Sequence, residues 1–352
     1  MTQFKYTIPS FSLPDFSKLD WKYVNSLPEI QPSYDDSAWI VADHRITNNT
    51  VAPLKTPMSL YSSDYGFHTG SLLYRGHFVG NGLEKSFTIQ TQGGTAYGSS
   101  VWLNHTFLGS WVGSPSNDSY LSSFNLPSLE AGASYVLTIV IDITGLDEEW
   151  RAPPRQLKNP RGILDYNLSG HHQDDISWKL TGNLGGEDYI DLARGPLNEG
   201  GFYAERQGWH QPKPPSKRWE TSSPFIGFNE AGIGFFSCSF KLDLPKNYDI
   251  PLSFVFTDDF STTTPYRVQL YVNGYQFGKF MPHIGPQTEF HVPQGILNYQ
   301  GENWVALTLW AQASDGAKLG GLRLTNFTPV RSALAEIKSS GQPVWKKRAG
   351  AY

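Results

Sequence analysis

Over many short stretches of this chain, apolar and polar residues alternate with a period of two. No long stretch repeats every 3.6 residues. The clearest case is Tyr266 to Phe280, YRVQLYVNGYQFGKF. Val268, Leu270 and Val272 are apolar with Gln269 and Tyr271 between them, which predicts a half-buried strand. Asn273-Gly274 supplies the positive-φ pair that a two-residue type I′ hairpin requires. Tyr275, Phe277 and Phe280 carry the return strand, and Gly278 leaves room for a close backbone approach. A second copy lies upstream in SVWLNHTFLGSW, Ser100 to Trp111. Val101 stands 169 positions before Leu270, and Gly109 stands 169 before Gly278. Phe107 needs a shift of one residue to meet Tyr275. One hairpin recurring at one spacing predicts two similar modules.

The remaining pattern fills those modules. Residues 1–34 form an extended lead-in, in which Phe4, Tyr6 and Ile8 alternate and Pro9, Pro14, Pro28 and Pro32 exclude a long helix. The first module is placed at 35–195. YDDSAWIVADH (34–44) is a turn feeding a short strand anchored by Trp39, and strands are predicted over 70–79 and 87–90. YVLTIVIDI (135–143) is nearly continuous and β-branched, as in a strand buried on both faces. A turn-rich connector follows, within which ISWKLTG (176–182) is a strand that could join either module. RGPLNEGGFYAERQGWHQPKPP (194–215), dense in Gly and Pro, marks the boundary. The second module, 196–352, repeats the order with strands over 232–244, 250–256, the hairpin, 302–311 and 322–327, and a short helix over 331–340. The fold class expected is all-β: two antiparallel jelly-roll β-sandwiches in tandem.

Composition agrees and removes some functions. The chain has 352 residues, 14% of them aromatic and 11 of them Trp, with a formal charge of −4. No basic run carries interleaved aromatics, so a nucleic-acid surface is not expected. No apolar stretch reaches the length of a membrane span. The single cysteine, Cys238, reads as a small buried residue and cannot form an internal disulfide. Five N-x-[ST] triplets, at Asn48, Asn104, Asn117, Asn167 and Asn326, are glycosylation candidates. The opening MTQFKYTIPSFSLP has no apolar core of a signal peptide. Export features without an export signal lead us to expect a piece of something longer.

Catalytic constellations are thin. Asn198-Glu199 resembles an acid/base pair, yet it sits between Pro196 and Gly200-Gly201 in a turn. Nothing places Glu187 or Glu205 opposite it across a sugar. His171-His172 with Asp174-Asp175 lacks ligand spacing, and Asp258-Asp259 falls short of a calcium shell. No catalytic residue, metal or cofactor is therefore assigned. Sugar binding has better candidates, because pyranose faces stack on aromatic rings while polar groups bond the hydroxyls. Trp150, Arg151, Trp209 and Trp219 lie in polar, turn-rich stretches; an interdomain wedge is the competing reading and the heavier one. Trp102, Trp304 and Trp310 lie in strands and read as core.

Several longer, irregular motifs carry a family resemblance: YDDSAW, SLYSSDYGFHTGSLLYRGHF, NPRGILDY, SWKLTGNLGGE, RGPLNEGGFYAERQGWH, IGPQTEFHVPQGILNY and the closing GAY. Together with the second hairpin they span essentially the whole chain, which resembles the C-terminal part of fungal β-galactosidases of glycoside hydrolase family 35, covering their two jelly-roll domains and implying galactose-binding-like sandwiches. The resemblance implies a secreted parent of roughly three times this length. That parent would release terminal β-linked galactose with retention, using two glutamates about 5–5.5 Å apart on a (β/α)₈ barrel. No matching glutamate motif occurs here, so this part is expected to be non-catalytic. Its expected partner is that barrel. An autonomous module binding galactose-containing saccharides is the alternative.

Overall fold

A computed structural model describes residues 6–68, 70–145, 158–182, 200–258, 264–332 and 338–341. In chain order the first strands are β1 (Lys22–Asn25), β2 (Ile40–Val41), β3 (Ser71–Val79), β4 (Ser86–Gln92) and β5 (Gly98–Leu103). They are followed by β6 (Thr106–Trp111), β7 (Ser119–Asn125), β8 (Ser134–Asp142), β9 (Gly162–Leu168) and β10 (Ser177–Thr181). The later ones are β11 (Glu220–Thr221), β12 (Gly232–Lys241), β13 (Tyr248–Asp249), β14 (Leu252–Thr257) and β15 (Tyr266–Val272). The series ends with β16 (Tyr275–Phe280), β17 (Glu289–Val292), β18 (Glu302–Ala311), β19 (Gly321–Asn326) and β20 (Val330–Arg331).

Two antiparallel β-sandwiches stand in tandem, as the hydrophobic pattern predicts. In the first, a sheet ordered β2-β10-β3-β8-β5-β6 faces one ordered β7-β4-β9. In the second, β11-β1-β12-β18-β15-β16 faces β17-β14-β19, and β13 pairs with β20. Inward residues of both sheets, such as Leu72, Ile89, Val101, Ile139 and Leu168, fill the first core. Phe236, Phe254, Leu270, Leu307 and Leu324 do the same in the second.

The duplication extends to the hairpins. Asn104 and Asn273 both take positive φ, 48° and 47°. Leu103 pairs with Thr106 as Val272 pairs with Tyr275, and both ladders slip one residue before a glycine, Gly109 or Gly278. These bulge glycines, at φ 153° and 135°, hold a conformation other residues rarely adopt. The pairing removes the one-residue shift assumed for Phe107: its counterpart is Gln276, since the two pair with Trp102 and Tyr271. Each turn asparagine also reaches the neighbouring strand. Its side-chain oxygen accepts from the Val136 amide at 2.9 Å in one copy and from the Trp304 amide at 2.8 Å in the other.

The lead-in is the main departure from a simple tandem. Residues 22–25 pair with β12 from Lys22↔Ser237 to Asn25↔Gly234, the place that β10 takes beside β3 in the first sheet. Phe16 and Trp21 are buried in the second core. The N-terminal stretch thus completes the distant sandwich, while ISWKLTG, open between the modules, completes the first. Of the helix expected over 331–340, residues 333–337 lie outside the described residues; Val330 and Arg331 form β20.

A third core lies between the sandwiches. Leu73, Trp102 and Val140 from the outer face of the first large sheet meet Ile233 and Trp310 from the second, with Leu27, Trp39 and Phe202 between. This explains why β8 is apolar on both faces: Ile139 and Ile141 point into the sandwich and Val140 into the seam. It also corrects the half-buried reading of β15, all seven residues of which are buried. Its outer residues are covered by the other sandwich at one end and by the 203–219 segment at the other. Burial of each large apolar side chain is worth about 1.5–3 kcal/mol, so separating the sandwiches would cost on the order of 10 kcal/mol. They behave as one body.

Candidate functional site

Charged residues interrupt the apolar strands at positions that prove to be the seam. Asp142, at the end of β8, accepts from Lys279 Nζ at 2.6 Å and Arg267 Nη1 at 3.2 Å, both from the second sandwich. Arg267 also donates to the Ala96 and Val112 carbonyls at 2.7 and 2.9 Å. The guanidinium passes where a side chain at position 98 would stand, 2.5 Å from its Nε, so Gly98 is required by the close approach. Burial lowers the pKa of Arg267, with Asp142 opposing that shift. Trp310 Nε1 donates to Ser100 Oγ at 3.1 Å, and Gln312 Nε2 to the Trp111 carbonyl at 3.2 Å.

Two further nodes tie the lead-in and connector into this seam. Arg206, on the single helical turn Tyr203–Arg206, is buried against Glu29 and ion-pairs with it. Asp36 of YDDSAW is paired with Arg75, with His77 Nε2 at 2.7 Å and with Lys179 Nζ at 3.0 Å. Burial pushes the Asp36 carboxyl up, but hydrogen bonds from His77 and Lys179 and the Arg75 charge outweigh it. The group is held well below the usual carboxylate range. Glu205 accepts from the Tyr271 hydroxyl. These buried carboxylates are bound into the fold.

Of the sugar-binding candidates, Trp209 and Trp219 are half-buried and pack edge to face, 5.2 Å apart, on the outer side of the second large sheet. Both reach Phe235, at 6.2 and 5.7 Å between centroids. Trp150 and Arg151 lie outside the described residues, as do Glu187, Asn198, Glu199 and Asp259. Among the glycosylation candidates Asn48, Asn117, Asn167 and Asn326 are exposed and Asn104 is half-buried. His171 bonds Glu84 at 2.6 Å, His172 caps the turn 173–175, and Asp258 accepts from Tyr266. Cys238 is buried, which raises its thiol pKa. Trp102 and Trp310 are buried in the seam, whereas Trp304 is half-buried. Among the described residues no cluster of three or more His, Cys, Asp or Glu could hold a metal ion, and no helix is long and apolar enough to cross a membrane.

Sequence reasoning missed the seam network. Its signal was present as a charge inside an otherwise apolar strand: Arg75 in SLLYRGHF, Asp142 in YVLTIVID and Arg267 in YRVQLYV. Buried charges of this kind demand partners: Asp142 and Arg267 find theirs in each other across the seam, and Arg75 finds its own in Asp36 and the Tyr34 and Gln31 carbonyls. What the arrangement does chemically is hold two sandwiches, a lead-in and a connector in one fixed geometry.

Fold and seam define a duplicated, rigid β-sandwich module. The family model described as beta-galactosidase second all-beta domain matches it twice, over residues 34–147 and 203–315, once on each sandwich. The chain belongs to that family. It is 60% identical to the probable beta-galactosidase A of Aspergillus fumigatus over 351 residues, covering 100% of this chain and 35% of that protein. Beta-galactosidase A of Aspergillus niger is 60% identical over 347 residues, with 99% and 34% covered. The chain thus spans about a third of the length of the curated relatives it matches, and it corresponds to their C-terminal part. A solved glycosyl hydrolase family 2 member from Bacteroides cellulosilyticus aligns over 84% of this chain and 31% of its own at 12% identity, with a TM-score of 0.24. That likeness is too distant to add to the argument.

Proposed function

We propose that this chain is the non-catalytic, C-terminal sandwich pair of a secreted β-galactosidase, and that it packs against and stabilises a catalytic (β/α)₈ barrel. The observation that carries this reading is one of proportion: the whole chain matches β-galactosidases at 60% identity while spanning 35% of their length. The buried carboxylates support it, because Glu29, Asp36, Glu84, Asp142 and Glu205 are each bonded within the fold. Retaining hydrolysis needs one carboxyl to protonate the leaving oxygen and another to attack the anomeric carbon. Exposure of four of the five N-x-[ST] asparagines is compatible with secretion.

The test is purified chain with a chromogenic β-galactoside. No turnover is expected, and turnover that persists in Glu199→Gln would overturn the non-catalytic assignment. Supplying the remaining two thirds of a relative in trans should raise the melting temperature of this chain; no rise would count against the scaffold role.

A further inference from the structure

A cleft of about 580 Å³ opens at one end of the second sandwich, between residues 245–249, residues 294–300 and Lys338–Ser339. Among the described residues, none of the first sandwich lines it. Leu297 is buried beneath it, and Tyr248 and Tyr299 are half-buried in its walls. Both phenols are pinned. Tyr248 donates to the Thr7 carbonyl at 3.0 Å, and Tyr299 to the Ile250 carbonyl at 3.2 Å. Their rings are therefore fixed surfaces.

The polar groups around them are partly open. One Asp249 oxygen accepts from Gln294, while Oδ2 has no hydrogen bond among the described residues. Asn298 Oδ1 accepts from the Gln300 amide at 3.2 Å, and its Nδ2 donates to no group among the described residues. Lys246 is exposed at the rim and makes no ion pair among the described residues. Burial, and then the charge of Asp249, raise the pKa of Tyr299, which places the carboxylate near that ring.

This mixture selects a ligand class. An anion would be repelled by Asp249 and a cation by Lys246 and Lys338. A neutral molecule carrying many hydroxyls can accept from the amide and ammonium groups and donate to the carboxylate, with its carbon-bound faces against the rings. The volume lies within the range of small-molecule sites. We propose that this cleft binds a neutral oligosaccharide, with Asp249 accepting from and Asn298 and Lys246 donating to its hydroxyls between Tyr248 and Tyr299. The proposal does not rest on the scaffold reading, and with Asp249 as the carboxylate lining the cleft it concerns binding and not hydrolysis.

Titration calorimetry of the full chain with β-1,4-galactotetraose, cellotetraose and xylotetraose tests it, with inorganic phosphate as the charged control. At least one tetrasaccharide should bind at about millimolar or tighter, and phosphate should give no heat. Asp249→Ala and Asn298→Ala should each weaken that binding about tenfold. Asn298 is exposed, so its variant reads the site even if Asp249→Ala, through Gln294, loosens the loop. Flat heats for all three sugars, heat with phosphate, or affinity unchanged in both variants would overturn the proposal. So would loss of binding in Trp209→Ala with Asn298→Ala unaffected.

Discussion

Truncating Trp21 tests whether the lead-in is a structural part of the distant sandwich. The side chain is 1% exposed, and its indole N–H donates to the Phe16 carbonyl at 2.8 Å. Its ring packs against Phe16 and Phe225 at 6.4 and 6.3 Å, immediately ahead of the strand that pairs with β12. Trp21→Ala removes the apolar contact, leaves a cavity and orphans the Phe16 carbonyl. Buried Trp→Ala changes cost about 3–5 kcal/mol. Against a total stability of about 5–15 kcal/mol that is a large fraction, and the urea midpoint should fall by about 1 M or more. Hydrogen exchange read by mass spectrometry locates the damage. Protection should drop in β14 and β19, the far sheet of the second sandwich, while β4 and β9 of the first change less. A loss below about 1 kcal/mol, or equal loss of protection in the two far sheets, would refute the claim that residues 16–25 belong energetically to the second sandwich.

The seam and the acid limb of stability give two more tests. Asp142→Asn keeps the shape of the side chain but leaves Arg267 buried without its counter-charge and removes one acceptor from the half-buried Lys279, so a loss of about 3 kcal/mol in urea unfolding is expected. The double variant with Arg267→Gln should recover part of it, and an effect near zero in the single variant would show that the seam charges are not coupled. Asp36 has a folded-state pKa below its unfolded value. Its contribution is therefore present above about pH 4 and is lost as pH falls from there towards the folded value. Melting temperatures followed from pH 6 down to about pH 2 should fall less steeply in Asp36→Asn than in the parent; parallel curves would contradict the assignment.

The elements were legible in the sequence wherever the determinant is local. An alternation of Val268, Leu270 and Val272, or an asparagine that tolerates positive φ at 104 and 273, acts within a few residues, so both hairpins and the long central strands could be placed from pattern alone, whereas β1, β7, β9 and β17, which are short or polar on one face, could not. Their recurrence at one offset announced the two modules. The doubly apolar YVLTIVIDI also announced that something covers its outer face, though not what. The site was less legible: Trp209 and Trp219 stood out as aromatics in polar surroundings, while the cleft beside Tyr248 and Tyr299 is assembled from loops some fifty residues apart.

Periodicity and turn chemistry in the sequence by itself determined an all-β chain, most of its longer strands, its paired hairpins and its duplication. Only the tertiary structure decided that Lys22–Asn25 completes a sheet more than two hundred residues away, that β10 closes the first sandwich, and that Asp142 meets Arg267 across the seam. Strand-forming preference is set by near neighbours, whereas the choice of partner depends on which faces fit and which buried charges can be neutralised. Those conditions exist only once the sheets have come together.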